Sequence, residues 1–393
     1  MSFSEWQNVT FGEVCETISE THKVKKGKLI FLNTGDIERG KILHKNYSPV
    51  EKMPGQAKKS IKKGDILFSE IRPANGRWAY VDFESEDFIV STKLMVIRAN
   101  EKINSRYLYH LLTSPEIVKK LQQLAEARSG TFPQITFTQL SSIEFSLPPK
   151  EIQIKISSFF DSLERKIELN YLTNQTLENI TQTIFKEMCL PKGSDDHKGW
   201  ILGKLKDFYK TTSGGTPSRT KLDFYENGSI NWVKSKELGD FFVLETEEKI
   251  TEEALKKSSA KLLPINSILL AMYGATVGEI SILGKEASCN QAICAILPNN
   301  RVTYSFIYEY LKSQKDNLKN MAIGGAQQNI SQQVIQEIEL YMPSKDILNS
   351  FHQMAEGVYD LARKNIEETT TLNYLRKNLM PKLLKGEIEI KDL

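Results

Sequence analysis

The chain has 393 residues, 40% hydrophobic and 26% charged, and its 52 Lys and Arg against 49 Asp and Glu leave a net charge of +3. That length exceeds one ordinary domain and points to about two to four, while the composition excludes global disorder. The balanced charge excludes a tail-like binder coated in positive charge but leaves local basic faces open. The four cysteines, Cys15, Cys189, Cys289 and Cys294, form no C-x-x-C pair, which argues against a zinc ribbon or a disulfide scaffold. The opening MSFSEWQNVTFGEV has no apolar core, and no run approaches the ~18 apolar residues of a membrane span. A soluble, cytoplasmic chain without a signal peptide is expected.

Residues 1–147 mix short β-branched and aromatic runs (KLIFLNTGDI, DILFSEI, FIVSTKLMVI) with Gly, Pro and Asn punctuation, the pattern of an α+β globule. SRYLYHLL, from Ser105, reads as an amphipathic helix. Residues 148–191 lose nearly all glycine after a proline that suits a helix start. A stripe through Ile156, Phe159, Leu163, Ile167, Asn170, Asn174, Leu177, Thr181, Ile184 and Met188 alternates steps of three and four with a single extra four. That is a heptad seam with a stutter, on a helix of roughly 55 Å. A polar connector, KGSDDHKG, opens at Lys192. Residues 192–342 return to the globule pattern, with PINSILLAMYGATVG and YSFIYEYL as its strand and helix signals. Residues 343–393 carry a second long helix and a tail, with a stripe through Ile347, Phe351, Met354, Val358, Leu361, Asn365, Glu368, Leu372, Leu375 and Leu379.

The two halves repeat. GTFPQITFTQLSSIEFSLPPKEI from Gly130 and GAQQNISQQVIQEIELYMPSKDI from Gly325 superpose on a gap-free shift of 195. The shift places Ile135 on Ile330, Ile143 on Ile338, Pro148 on Pro343 and Lys150 on Lys345. Fainter echoes join Trp6 to Trp200, residues 62–76 to 264–278, and SRYLYHLL to YSFIYEYL. The layout is globule, long helix, globule, long helix, with the two helices paired as a coiled coil.

Catalytic signatures are missing. G-x-S-x-G, H-E-x-x-H, the G-x-x-x-x-G-K-[ST] phosphate loop and an Asn/Asp-Pro-Pro-aromatic tetrapeptide are absent, and the five histidines lack ligand spacing. Glu389-Ile-Lys391 is half of a nuclease signature without a partner Asp and reads as a solvated tail. Residues suited to recognition are present. Lysines cluster at Lys23, Lys25, Lys26 and Lys28 and at Lys58, Lys59, Lys62 and Lys63, runs that are usually solvated faces and otherwise phosphate contacts, and Lys234 and Lys236 are candidates in the second globule. The loop after DILFSEI carries Arg72, Asn75 and Arg77, and its counterpart offers Tyr273 and Thr276. The segment before each proline carries Arg128, Ser129 and Gln134 in one copy and Gln327, Gln328 and Asn329 in the other. Arg, Asn and Gln make bidentate contacts with guanine or adenine edges, although drift of unimportant loops accounts for such divergence equally well.

The chain resembles the specificity subunit of Type I restriction–modification enzymes across its whole length, most specifically in residues 130–153, in residues 325–347 and in the closing LRKNLMPKLLKGEI. The family often places Gln soon after the proline; Gln153 keeps it, whereas the second copy has Leu348. The resemblance implies two target-recognition domains that each read half of a split, asymmetric site in double-stranded DNA. The helices would pack antiparallel as a spacer fixing the gap. It further implies docking of two modification subunits, which carry S-adenosylmethionine and methylate adenine, and of a nuclease–translocase subunit. No cofactor, metal or catalytic residue is expected in this chain itself. The rivals are a diverged stand-alone enzyme and a non-DNA scaffold with two adhesive domains on a helical rod. In an antiparallel pair, Asn170 and Asn365, matched by the shift of 195, should meet near the seam's midpoint.

Overall fold

The strand Leu94–Ala99 shows how the first globule is built. Period-two alternation sends Leu94 and Val96 to one apolar cluster and Met95 and Ile97 to another. Both faces are covered, so the strand reads as an unbroken apolar run. It lies between Cys15–Ile18 and Ile66–Ser69, and Trp78–Tyr80 completes a four-stranded antiparallel sheet. A second sheet runs in the order Tyr47–Pro49, Lys28–Leu32, Phe88–Ser91, Ala57–Lys59, with Phe88–Ser91 parallel to Lys28–Leu32. Its Ile30, Leu32 and Val90 meet Leu94 and Val96 in one cluster. The opposite cluster is closed by Tyr107 and Leu108 of helix Ser105–Leu112 and Leu121 of helix Pro115–Arg128. Gln7–Thr10 pairs with Glu144–Leu147, tying the globule's beginning to its end just before the first long helix.

The computed structural model describes residues 6–23, 27–128, 131–191, 199–322 and 329–389. Lys25, Lys26, Ser129, Gly130, connector residues 192–198, Gly325, Gln327, Gln328 and Lys391 lie outside the described residues. Two compact units emerge: Met1–Arg165 with Leu372–Leu393, and Lys166–Thr371.

The second unit repeats the plan. Its five-stranded sheet has the order Thr211–Ser213, Ile293–Ile296, Ile268–Ala271, Ile280–Leu283, Phe242–Val243. Alternation again splits Ile268 and Leu270 from Leu269 and Ala271. Lys249–Ile250, Ile230–Val233 and Ser288–Cys289 form a three-stranded sheet, and Ile201–Lys204 pairs with Glu339–Met342 as Gln7–Thr10 pairs with Glu144–Leu147.

The long helices are Lys150–Cys189 and Lys345–Leu384, 40 residues each, or about 60 Å. They run antiparallel. In the first unit Ile156 and Phe160 share a cluster with Met380 and Leu383, and Arg376 lies 3.7 Å from Glu164. In the second unit Lys166 pairs with Glu368 at 2.9 Å, while Asn174 donates to the carbonyl of Ala362 at 3.2 Å. The second helix stops where Gly386 takes a left-handed φ of 71° and its N–H returns to the carbonyl of Leu383.

The seam differs in detail from the sequence reading. Ile156, Asn170, Leu177 and Thr181 are buried, and Leu163, Ile167, Val358, Leu372 and Leu379 are half-buried. Phe160 and Phe185 are fully buried in preference to the half-buried Phe159 and Ile184. On the second helix Phe351, Ala355, Tyr359 and Ala362 are fully buried, whereas Met354 is 55% and Leu361 46% exposed. Leu375 also faces solvent. Near its ends each helix packs on a globule as well as on its partner, which widens the stripe beyond the narrow seam. The buried alanines leave room for Tyr359 to meet Phe241 edge-on at 5.0 Å. Choosing the largest apolar residue at each step selects the wrong neighbour there.

Gln153 is buried at the start of the first long helix, donating to the carbonyl of Pro148 at 2.8 Å and accepting from the N–H of Asn104 at 2.7 Å. Leu348 is buried near the start of the second helix, within the apolar core of its unit.

Candidate nucleic-acid interface

The two segments singled out in the first globule meet in space. The chain leaves strand Ile66–Ser69, forms a β-bridge between Ile71 and Gln134, and enters the 3-10 turn Pro73–Asn75. Ile135 donates its N–H to the carbonyl of Glu70 at 2.9 Å, and Arg72 donates its own to Pro133 at 3.0 Å. The Arg72 guanidinium reaches the carbonyl of Thr131 at 3.4 Å. Gln122 of helix Pro115–Arg128 accepts from the N–H of Ala74 at 3.0 Å, fastening that helix to the turn. Arg72, Asn75 and Arg128 are exposed, and Gln134 is half-buried. Phe132, which the sequence reading passed over, is 72% exposed between the two residues whose carbonyls hold Arg72.

The second unit builds the same frame from other side chains. Tyr273 bridges Asn329, and Ile330 donates to the carbonyl of Met272 at 2.9 Å. The turn Gly274–Thr276 follows. Tyr273 and Asn329 are exposed and Thr276 is half-buried.

The candidate cations separate by what already holds them. Lys58 is exposed, but Lys59 donates to the carbonyl of Leu94 at 2.8 Å, and burial lowers its ammonium below the ordinary lysine value. Arg77 donates to the carbonyls of Gly35 and Ile37 at 3.4 and 3.1 Å, which ties the loop inward. Lys234 is paired with Glu247 at 3.0 Å and Glu248 at 2.8 Å, and Lys236 with Glu247 at 2.6 Å. Burial opposes the charge on Lys234, yet these hydrogen bonds hold its pKa above the usual lysine value. Both ammonium groups are therefore held by acids, Lys236 at the exposed surface.

One group with metal-ligand chemistry occurs among the described residues: His110, Asp161 and Glu164, whose donor atoms lie within 4.8 Å of one another. Sequence spacing could not reveal it, because His110 lies on Ser105–Leu112 and both acids lie on the first long helix. Arg106 grips both oxygens of Asp161 at 3.0 Å, and Arg376 lies 3.7 Å from Glu164. Burial works against ionisation of Asp161, but the bonds from His110 and Arg106 hold its pKa below the ordinary carboxylate value. Two guanidinium groups already balance the carboxylates, so the cluster ties helix to helix. At the matching place in the second unit, the fully buried Glu309 accepts from Tyr359 at 2.8 Å and from Gln182. Burial raises its pKa to about 7.

The family model described as "Type I restriction modification DNA specificity domain" matches this chain twice, at residues 3–179 and 197–375. The chain belongs to that family. Its two matches coincide with the two repeats. A curated relative, the Type I restriction enzyme HindI specificity subunit of Haemophilus influenzae, is 32% identical, covering 98% of this chain and 100% of its own. The EcoR124I/EcoR124II specificity subunit of Escherichia coli is 25% identical, covering 77% of this chain and 76% of its own. The crystal structure of a Type I restriction–modification S subunit from M. genitalium has a TM-score of 0.57 at 16% identity, over 96% of both chains, and so shares the fold. No helix among the described residues is long and apolar enough to cross a membrane.

Proposed function

We propose that this specificity-family chain is the non-catalytic DNA-reading subunit of a Type I restriction–modification complex, each repeat reading one half of a split, asymmetric site. The observation that carries this reading is the repeated loop junction. The Ile71–Gln134 and Tyr273–Asn329 bridges set equivalent frames, one presenting Arg72 and Asn75 and the other Tyr273 and Asn329. Identical frames with different polar chemistry suit two different half-sites. The antiparallel helices act as the ruler between those half-sites. Apolar residues exposed on these helices, among them Leu169, Leu172, Ile180, Met354 and Leu361, are candidates for contact with two modification subunits. Those subunits bring S-adenosylmethionine and the adenine-methylating chemistry, and a nuclease–translocase subunit completes restriction. The test is reconstitution: the purified chain neither methylates nor cuts DNA, and adding its cognate modification subunit confers adenine methylation at a split motif. Turnover by the lone chain contradicts the reading.

A further inference from the structure

Four described non-glycine residues have a left-handed backbone: Arg39 and Arg72, both with φ 43°, Asn227 with φ 57° and Asn266 with φ 65°. Asparagine tolerates this region, and Arg39 with Gly40 forms the two-residue loop of the hairpin Ile37–Glu38 to Lys41–Ile42, a tight turn that sets a left-handed φ at both positions. Arg72 lies in no such hairpin, and strain of that kind concentrates at functional sites. The two arginines flank one turn. The N–H of Arg39 donates to the carbonyl of Gly76 at 2.7 Å, and the carbonyl of Arg72 accepts from the N–H of Asn75 at 2.8 Å. The Arg39 side chain lies across Gly76, where an added Cβ would come within 2.9 Å of Arg39 Cγ and 3.2 Å of its Nε. Gly76 has a left-handed φ of 72°, so both its conformation and the side chain above it call for glycine. Arg39 and Arg72 are exposed, and neither has an acidic partner among the described residues. The neighbouring Arg77 is instead committed to Gly35, Ile37 and Glu38.

We propose that Arg39 and Arg72 form a pair of guanidinium forks that read guanine in the major groove of the half-site taken by the first domain. Arg39 thereby becomes a specificity-determining residue that its sequence context does not mark. This rests on the DNA-reading role above and assigns that role a base and its readers. A phosphate accepts any cation in loose geometry, and a lysine on a relaxed backbone would serve it. A strained Cα, a bare glycine beneath the side chain and a carbonyl anchor on Arg72 all fix direction instead. Direction matters for the paired N7 and O6 acceptors of guanine, which match the arginine fork.

The experiment maps the methylated motif of the complete complex carrying wild-type chain, Arg39→Gly or Arg39→Lys. Glycine accepts the left-handed φ, so Arg39→Gly should melt no lower than wild type. Both variants should lose guanine preference at one position of one half-site, discrimination falling about tenfold or more, with the other half unchanged. A split motif identical in all three proteins overturns the proposal while leaving the DNA-reading role intact. Full discrimination restored by lysine, or uniform weakening across all positions, marks a phosphate contact and overturns it as well. If the wild-type complex methylated no split motif, the DNA-reading role would fall and this proposal with it.

Discussion

The side-chain amide of Asn170 donates to the main-chain carbonyl of Asn365 at 3.3 Å. The two residues matched by the 195-residue shift therefore meet across the antiparallel helices, and Asn170 is only 3% exposed. Their amides do not pair with each other. Asn170 also donates to Glu368 at 2.8 Å and Thr369 at 3.3 Å, while Asn365 donates to Asn174 at 2.9 Å. Under the shift, Asn170 to Thr369 and Asn365 to Asn174 are images of one bond, so the helix pair keeps a local twofold pattern with a changed acceptor.

Replacing Asn170 with Leu removes all three of its side-chain bonds across the seam, while the carbonyl of Asn365 keeps its own helical partner. We expect a loss of about 1–3 kcal/mol in chemical denaturation. Replacing the exposed Leu361 with Gln should cost about 0.5 kcal/mol or less. Equal effects would contradict the register.

Glu309 sets a pH dependence. Its folded pKa, about 7, lies above the ordinary 4.5, so folding favours its protonated form. Its contribution to stability is full below about 4.5 and is lost as pH rises through 7. Glu309→Gln stays neutral and escapes that loss. At pH 8 the variant should exceed wild type by on the order of 2–3 kcal/mol, with the gap closing toward pH 5. Parallel stability curves for the two proteins would contradict this.

Arg77 and Arg72 should behave differently despite lying five residues apart in one loop. Arg77→Ala removes bonds to two carbonyls, costing about 1–2 kcal/mol of stability with the methylated motif unchanged. Arg72→Ala should relax one position of the motif. A relaxed motif in Arg77→Ala would reverse the assignment.

The repeat, both long helices and their pairing were legible because a gap-free frame of glycine, proline and apolar residues survives in both copies. Side-chain commitments were not. The acids that pair with Lys234 and Lys236 lie at Glu247 and Glu248, brought alongside because Ile230–Val233 pairs with Lys249–Ile250. Arg39 lies far from Arg72 in sequence and reaches the same turn through its main-chain bond to Gly76. Ala355 and Ala362 carry a buried seam that large side chains nearby obscure. The Ile71–Gln134 and Tyr273–Asn329 bridges unite segments that the sequence could only nominate separately.

The spacer role is tested by removing one heptad from each long helix at matched positions. The gap between half-sites should change, or assembly should fail, with neither half-site altered. Full activity with an unchanged gap would show that the helices are not the ruler.

The central claim, that two equivalent frames read two independent half-sites, is tested most directly by mapping methylated adenines in a host expressing the chain with its modification partner. Wild type is compared with a chimera whose residues 1–147 come from another family member. The account predicts a split motif with a fixed gap, in which the chimera changes one half and leaves the other half and the gap unchanged. A continuous motif, or a chimera that changes both halves, would contradict it.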